Sequence, residues 1–104
     1  MLTHDLLSSL KYLLSERFGR RFRSVILFGS EARGTAAPDS DIDILVLLED
    51  PINLGVDLDA AIISTYSLQL QVDRSFHFSI SSAHAYDAGE YSLYRTCKQE
   101  GIAA

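Results

Sequence analysis

The chain has 104 residues, of which 47% are apolar and 22% charged, and its formal net charge is −5. That length supports one hydrophobic core, so residues 1–104 are read as a single domain, and the composition excludes a disordered chain. The negative charge argues against nucleic acid as a direct ligand, no apolar run reaches the roughly 18 residues of a membrane span, and the single Cys97 excludes an internal disulfide.

The N-terminal MLTHDLLSS lacks the basic segment and cleavage site of a signal peptide, and with one cysteine this points to a cytoplasmic protein. Leu6, Leu7, Leu10, Leu13, Leu14 and Phe18 recur at three- and four-residue spacing. They predict a helix over 3–18, with Thr3 as its N-cap and Gly19 at its end. RSVILF, residues 23–28, predicts a buried strand ending at Gly29, whereas 30–34 hold no more than a turn of helix and TAAPDS is loop by composition. DIDILVLL, residues 41–48, predicts a second strand. Period two places Asp41, Asp43, Leu45 and Leu47 on one face and Ile42, Ile44, Val46 and Leu48 on the other. A helix is predicted over about 54–66.

Residues 68–80 (LQLQVDRSFHFSI) alternate again and predict one long strand or two. Leu68, Leu70, Val72, Phe76, Phe78 and Ile80 share one face; Gln69, Gln71, Asp73, Ser75, His77 and Ser79 share a wet one. Residues 91–100 predict a closing helix stopped by Gly101. The order gives an α+β (mixed α/β) domain with one sheet, one side of which is partly uncovered by helices.

Charge is unevenly placed. Arg17, Arg20, Arg21, Arg23 and Arg33 lie in the first third, whereas no Lys or Arg occurs from Gly34 to Asp73, a stretch holding Asp39, Asp41, Asp43, Glu49, Asp50, Asp57 and Asp59. Most of these acids suit solvated loops and helix faces. Asp41 and Asp43 do not, because they lead straight into ILVLL, where an unpaired charge becomes costly.

VILFGSEARGTAAPDSDID, residues 25–43, is the segment that carries chemistry. Gly29 and Gly34 stand at Walker A spacing, but Thr35-Ala36 follow where Lys and Ser or Thr are needed. A dinucleotide fingerprint needs a third glycine, and a serine-hydrolase elbow needs G-x-S-x-G; neither is present. Metal-assisted phosphoryl or nucleotidyl transfer remains. A strand breaking at Gly29-Ser30 leaves backbone N–H groups and a hydroxyl for a triphosphate, and glycine lets phosphates come close. Asp41 and Asp43, roughly 6–7 Å apart along one strand face, can reach one Mg²⁺ or bridge two, with nucleotide phosphates filling the remaining positions.

Gly29-Ser30, the ten residues EARGTAAPDS, and Asp41-Ile42-Asp43 reproduce a Gly-Ser, ten-residue, Asp-x-Asp pattern. With Phe28, Ala32, Arg33, Gly34 and Ser40 around it, the stretch resembles the minimal nucleotidyltransferase family of the DNA polymerase beta-like superfamily. The ending LYRTCKQEGI is similar to that family's closing helix. The resemblance implies the nucleotidyltransferase fold, a small mixed sheet packed against helices. It implies transfer of a nucleoside monophosphate from a nucleoside triphosphate, ATP favoured, to a hydroxyl, with two Mg²⁺ ions. It also implies an antitoxin role against an all-helical HEPN-type toxin, silenced by adenylylation. On this pattern Gly29 and Ser30 hold the triphosphate, Asp41 and Asp43 hold the metals, and Arg33 either offsets phosphate charge or pins the loop.

The family's third carboxylate has one candidate, Asp73 after Val72, although Arg74 follows where an apolar residue is expected. His77 on the same wet face is the alternative ligand or base. Two functions follow: an active protein adenylyltransferase, or an inactive binding module that neutralises its partner by contact alone. A small-molecule nucleotidyltransferase is disfavoured because such enzymes use a second domain or a dimer to build the acceptor pocket; a homo-oligomer stays open. His4, His84 and Cys97 lack partners at zinc-ligand spacing, and Tyr86, Tyr91 and Tyr94 suit packing or an interface.

Overall fold

A computed structural model describes residues 3–29, 41–72, 74–89 and 92–103. Helix α1, Thr3–Phe18, turns Leu6, Leu7, Leu10, Leu14 and Phe18 inward along the stripe that their spacing predicts. A 3₁₀ turn at Gly19–Arg21 then feeds β1, Phe22–Phe28. Strand β2, Ile42–Leu48, pairs antiparallel with β1, and apart from Asp43 every residue of it is buried. Ile42, Ile44, Val46 and Leu48 join the α1 stripe in one core, while Leu45 and Leu47 enter a second core with Ile26, Ala83, Tyr86 and Cys97. The two faces of β2 are therefore those expected from the alternation.

Helix α2, Leu54–Ser64, begins at Asn53, whose side chain accepts from Val56 N–H. It ends at Thr65, whose hydroxyl donates to Ala61 carbonyl at 2.8 Å. A second short helix, α3, Tyr66–Gln71, follows, and only then comes β3, Phe76–Ser82. This corrects the expected strand over 68–80. LQLQV is too short a run for period two to exclude a helix: Leu68 faces the core, whereas Leu70 is 70% exposed. Gln69 fixes the change of direction, its amide donating to Arg74 carbonyl and accepting from Phe76 N–H, both at 2.7 Å. From Phe76 onward the alternation does hold, with Phe76, Phe78 and Ile80 packed on the first core.

Strand β3 runs parallel to β2. Ser82 then caps an unexpected helix α4, Ala83–Ala88, by accepting from Ala85 N–H, and α5 spans Ser92–Glu100. Gly101 closes α5 with its N–H on Cys97 carbonyl at 2.7 Å; a Cβ there would meet that oxygen and Ile26 at 2.5 Å. The chain passes through this tight point to β4, Ile102–Ala103, paired antiparallel with β1. The described residues thus form a four-stranded mixed sheet, in the order β3-β2-β1-β4, with five α-helices. None of these helices is long and apolar enough to cross a membrane.

At one end of the sheet Arg21 ties the layers together. Its two terminal nitrogens bind the Asp57 carboxylate at 2.8 and 3.0 Å, one of them also reaching Pro51 carbonyl. The backbone carbonyl of Arg21 accepts from Glu49 N–H. Asp57 is only 3% exposed and also accepts from Asn53 N–H, so it serves the start of α2 as well. The Arg21 guanidinium holds its carboxyl below the ordinary value of 3.8, burial opposes this, and the Asn53 N–H adds to the lowering. A carboxyl depressed by folding stabilises the fold above its ordinary value, and that contribution is lost as pH falls through the folded value. Arg21→Ala is expected to cost about 2–3 kcal/mol at pH 7, less than for a fully buried pair because Arg21 is partly exposed. Urea denaturation should show wild type losing stability below about pH 4, and Asp57→Asn losing less over the same range. Parallel acid limbs would show that this pair does not govern acid stability.

Candidate functional site

Antiparallel β1/β2 and parallel β2/β3 bring the C-terminal end of β1 to the N-terminal ends of β2 and β3. Register then decides which side chains meet. Phe28 stands opposite Asp43, and Asp43 stands opposite His77. Gly29, the residue after Phe28, has φ +70°, a conformation that glycine adopts without strain. A Cβ on Gly29 would lie 2.5 Å from Asp43 Oδ2, so the turn has room for Asp43 only because that side chain is missing. The other oxygen, Oδ1, lies 3.1 Å from His77 Nδ1.

Solvent reaches this end of the sheet. The Asp43 side chain is 30% exposed and that of His77 68%, whereas Leu45 and Leu47, farther along the same face of β2, are sealed by α4 and α5. Along this face of β2 the chain is therefore open at Asp43 and closed at Leu45 and Leu47. Asp41 stands exposed just ahead of β2, and Ile42 N–H, donating to Ser75 carbonyl at 2.8 Å, pins that entry to β3. Cys97 is buried, and burial first, then the charges of Asp43 and Glu100, push its thiol up. It is a packing residue held as a thiol.

Of the residues singled out in the sequence, Asp43 lies where a Gly29 side chain would be, and Asp41 stands two residues before Asp43. Ser30, Arg33 and Asp73 lie outside the described residues, as does the expected turn over 30–34. No cluster of three or more His, Cys, Asp or Glu side chains that could hold a metal occurs among the described residues. The pairing of His77 with Asp43 is invisible in local spacing, since it arises from strand register across 34 positions. A groove of about 410 Å³ between α1 and α3, with Ser8, Tyr12, Leu13, Ser67, Leu68 and Gln71 among its lining residues, includes none of the expected site residues. Its lining holds no charged group, whereas the Gly29–Asp43 end carries a carboxylate and an imidazole.

Comparison with known proteins gives the family and the fold. The family model for the nucleotidyltransferase domain matches residues 7–93, and the chain belongs to that family. Two proteins of Methanocaldococcus jannaschii bearing the name "putative protein adenylyltransferase" are similar in sequence. One is 34% identical over 55 residues, the other 51% identical over 35. These matches cover 53% and 34% of this chain, and 55% and 24% of the two relatives. Among solved structures, a toxin–antitoxin with AMP-PNP superimposes with a TM-score of 0.66 at 22% identity, over 98% of this chain and 72% of the other. A mutant of the toxin–antitoxin MntA-HpeT gives 0.67 at 20% identity, over 100% and 72%. At those identities the likeness establishes the fold, which is that of a nucleotidyltransferase.

Gly29→Ala tests the close approach. The left-handed backbone alone costs an alanine roughly 1–2 kcal/mol, and the Asp43 carboxylate must also move. Urea denaturation should register at least that loss, and the Asp43 carboxyl carbon should shift in NMR spectra. Unchanged stability and an unmoved Asp43 signal would contradict the geometry.

Proposed function

We propose that this chain is a protein adenylyltransferase acting as an antitoxin, which moves AMP from ATP to a hydroxyl on a HEPN-type toxin. The observation that carries the reading is the Gly29–Asp43 contact, where a glycine turn leaves room for a carboxylate at the open end of a sheet. Family membership supports the transfer chemistry. The names of the two archaeal relatives support a protein acceptor. The toxin–antitoxin neighbours, one with AMP-PNP, support both the partner and the nucleotide.

In this reading Gly29 lets the triphosphate approach the backbone, Ser30 binds it through its N–H and hydroxyl, and Arg33 offsets its charge. Asp41 and Asp43 would hold Mg²⁺, with Asp73 as the third carboxylate. Asp43 fits that task, being half-buried on a rigid central strand with its carboxylate still reached by solvent. Bound there, divalent ions would offset phosphate charge and stabilise the attacking and departing oxygens. The acceptor oxygen forms a bond to the α-phosphorus as the bond to the β-phosphate breaks, pyrophosphate departs, and Asp73 takes the hydroxyl proton. The chain's own contribution is placement: both reactants are held in line, which removes much of the entropic barrier.

The test is labelling of the partner toxin by α-labelled ATP with Mg²⁺. Asp41→Asn combined with Asp43→Asn is expected to lower labelling by at least about a hundredfold while thermal unfolding stays within a few degrees. Undiminished labelling would remove both aspartates from the chemistry. Full toxin inhibition by the double variant would mean neutralisation by contact alone.

A further inference from the structure

We infer that His77 is a metal-binding residue of this site, and that with Asp43 it forms a mixed imidazole–carboxylate centre selecting Mn²⁺ or a similar transition-metal ion over Mg²⁺. The inference rests on the nucleotidyltransferase reading of the site, adds a ligand to it and puts a transition-metal ion in place of Mg²⁺.

The geometry begins with register. Parallel pairing sets His77 directly across from Asp43, on the sheet face that carries Asp43 and away from the first core. His77 Nδ1 and Asp43 Oδ1 are 3.1 Å apart. Two donor atoms bound cis to one octahedral ion at ~2.1 Å stand about 3.0 Å apart, so the pair already has the spacing of two neighbouring ligands. A neutral imidazole ligating through Nδ1 carries its proton on Nε2.

A purely structural role accounts poorly for this pair. Both side chains are reached by solvent, and an exposed ion pair contributes about 0–1 kcal/mol. Asp43 instead meets His77 at Oδ1, while Oδ2 occupies the space beside Gly29 that a side chain there would take. That arrangement fixes a carboxylate's direction without burying it. Two protein ligands are enough where phosphate oxygens and water complete the shell, as is usual for ions carrying nucleotides.

Metal preference follows from the donor set. Mg²⁺ takes oxygen ligands almost exclusively, whereas an imidazole nitrogen raises affinity for the later divalent ions. Mn²⁺ shares the oxygen ligands of Mg²⁺ and opens the series of rising affinity among the transition ions, so it reads what the imidazole adds.

The experiment titrates the full chain with Mn²⁺, following free ion by EPR, alone and with AMP-PNP, and with Mg²⁺ as competitor. Wild type is expected to prefer Mn²⁺ by about tenfold or more, and His77→Ala to lose about tenfold in Mn²⁺ affinity with Mg²⁺ affinity within twofold. Independently of any variant, substoichiometric Mn²⁺ should broaden the ring resonances of His77 and spare those of His84. Unchanged Mn²⁺ affinity in His77→Ala, unbroadened His77 resonances, or no Mn²⁺ bound by wild type would each overturn the inference. If toxin labelling fails with either metal while His77-dependent Mn²⁺ binding persists, the transferase reading falls and this one stands. If labelling proceeds and His77→Ala binds Mn²⁺ as wild type does, only this inference falls.

Discussion

The register of β2 is the constraint on which everything else depends. Ile42, Ile44, Val46 and Leu48 fill one core and Leu45 and Leu47 the other, so the strand is held from both sides. A slip of one residue would exchange these sets and drive Asp43 into the core beneath α1. Burying an unpaired carboxylate there is costly enough to exclude the alternative. The same register that satisfies the core sets Phe28, and hence the Gly29 turn, beside Asp43 on one flank and His77 on the other. Core packing and site assembly are consequences of one pairing.

The sheet is finished differently at its two ends. Around Arg21, Asp57 and Asn53 the polar groups are turned on one another, and α2 is anchored by them. At the other end the carboxylate of Asp43 is left within reach of solvent, while Ile26, Leu45 and Leu47 beyond it pack with α4 and α5. One end is closed by the internal Arg21–Asp57 pair; at the other, Asp43 meets His77 and both stay within reach of solvent.

Features with a local cause were legible in the sequence. The stripe of α1, the two faces of β2 and the Gly-Ser to Asp-x-Asp spacing all follow from periodicity or from contiguous motif residues. What escaped has non-local causes. LQLQV alternates as a strand would, but it folds as helix through Gln71 because Leu68 and Val72, four residues apart, reach the core while Leu70 does not, and Gln69 is claimed by Arg74 and Phe76. Helix α4 lies between a Ser82 cap and Gly89, signals present in SSAHAYDAG but too closely spaced for a periodic stripe to emerge. Two residues of β4 carry no period, and their place beside β1 is set by the Gly101 turn. His77 reads locally as one more polar residue on a wet strand face; only pairing with β2 gives it a partner.

The central claim is that the Gly29–Asp43 end of the sheet binds the metal and the nucleotide triphosphate. Anomalous diffraction from crystals grown with Mn²⁺ and AMP-PNP tests it most directly. The account requires a Mn²⁺ peak within bonding distance of the Asp43 carboxylate, with the triphosphate against the Gly29 turn. A nucleotide seated in the groove of Ser8, Tyr12 and Gln71, or a metal peak remote from Asp43, would contradict it.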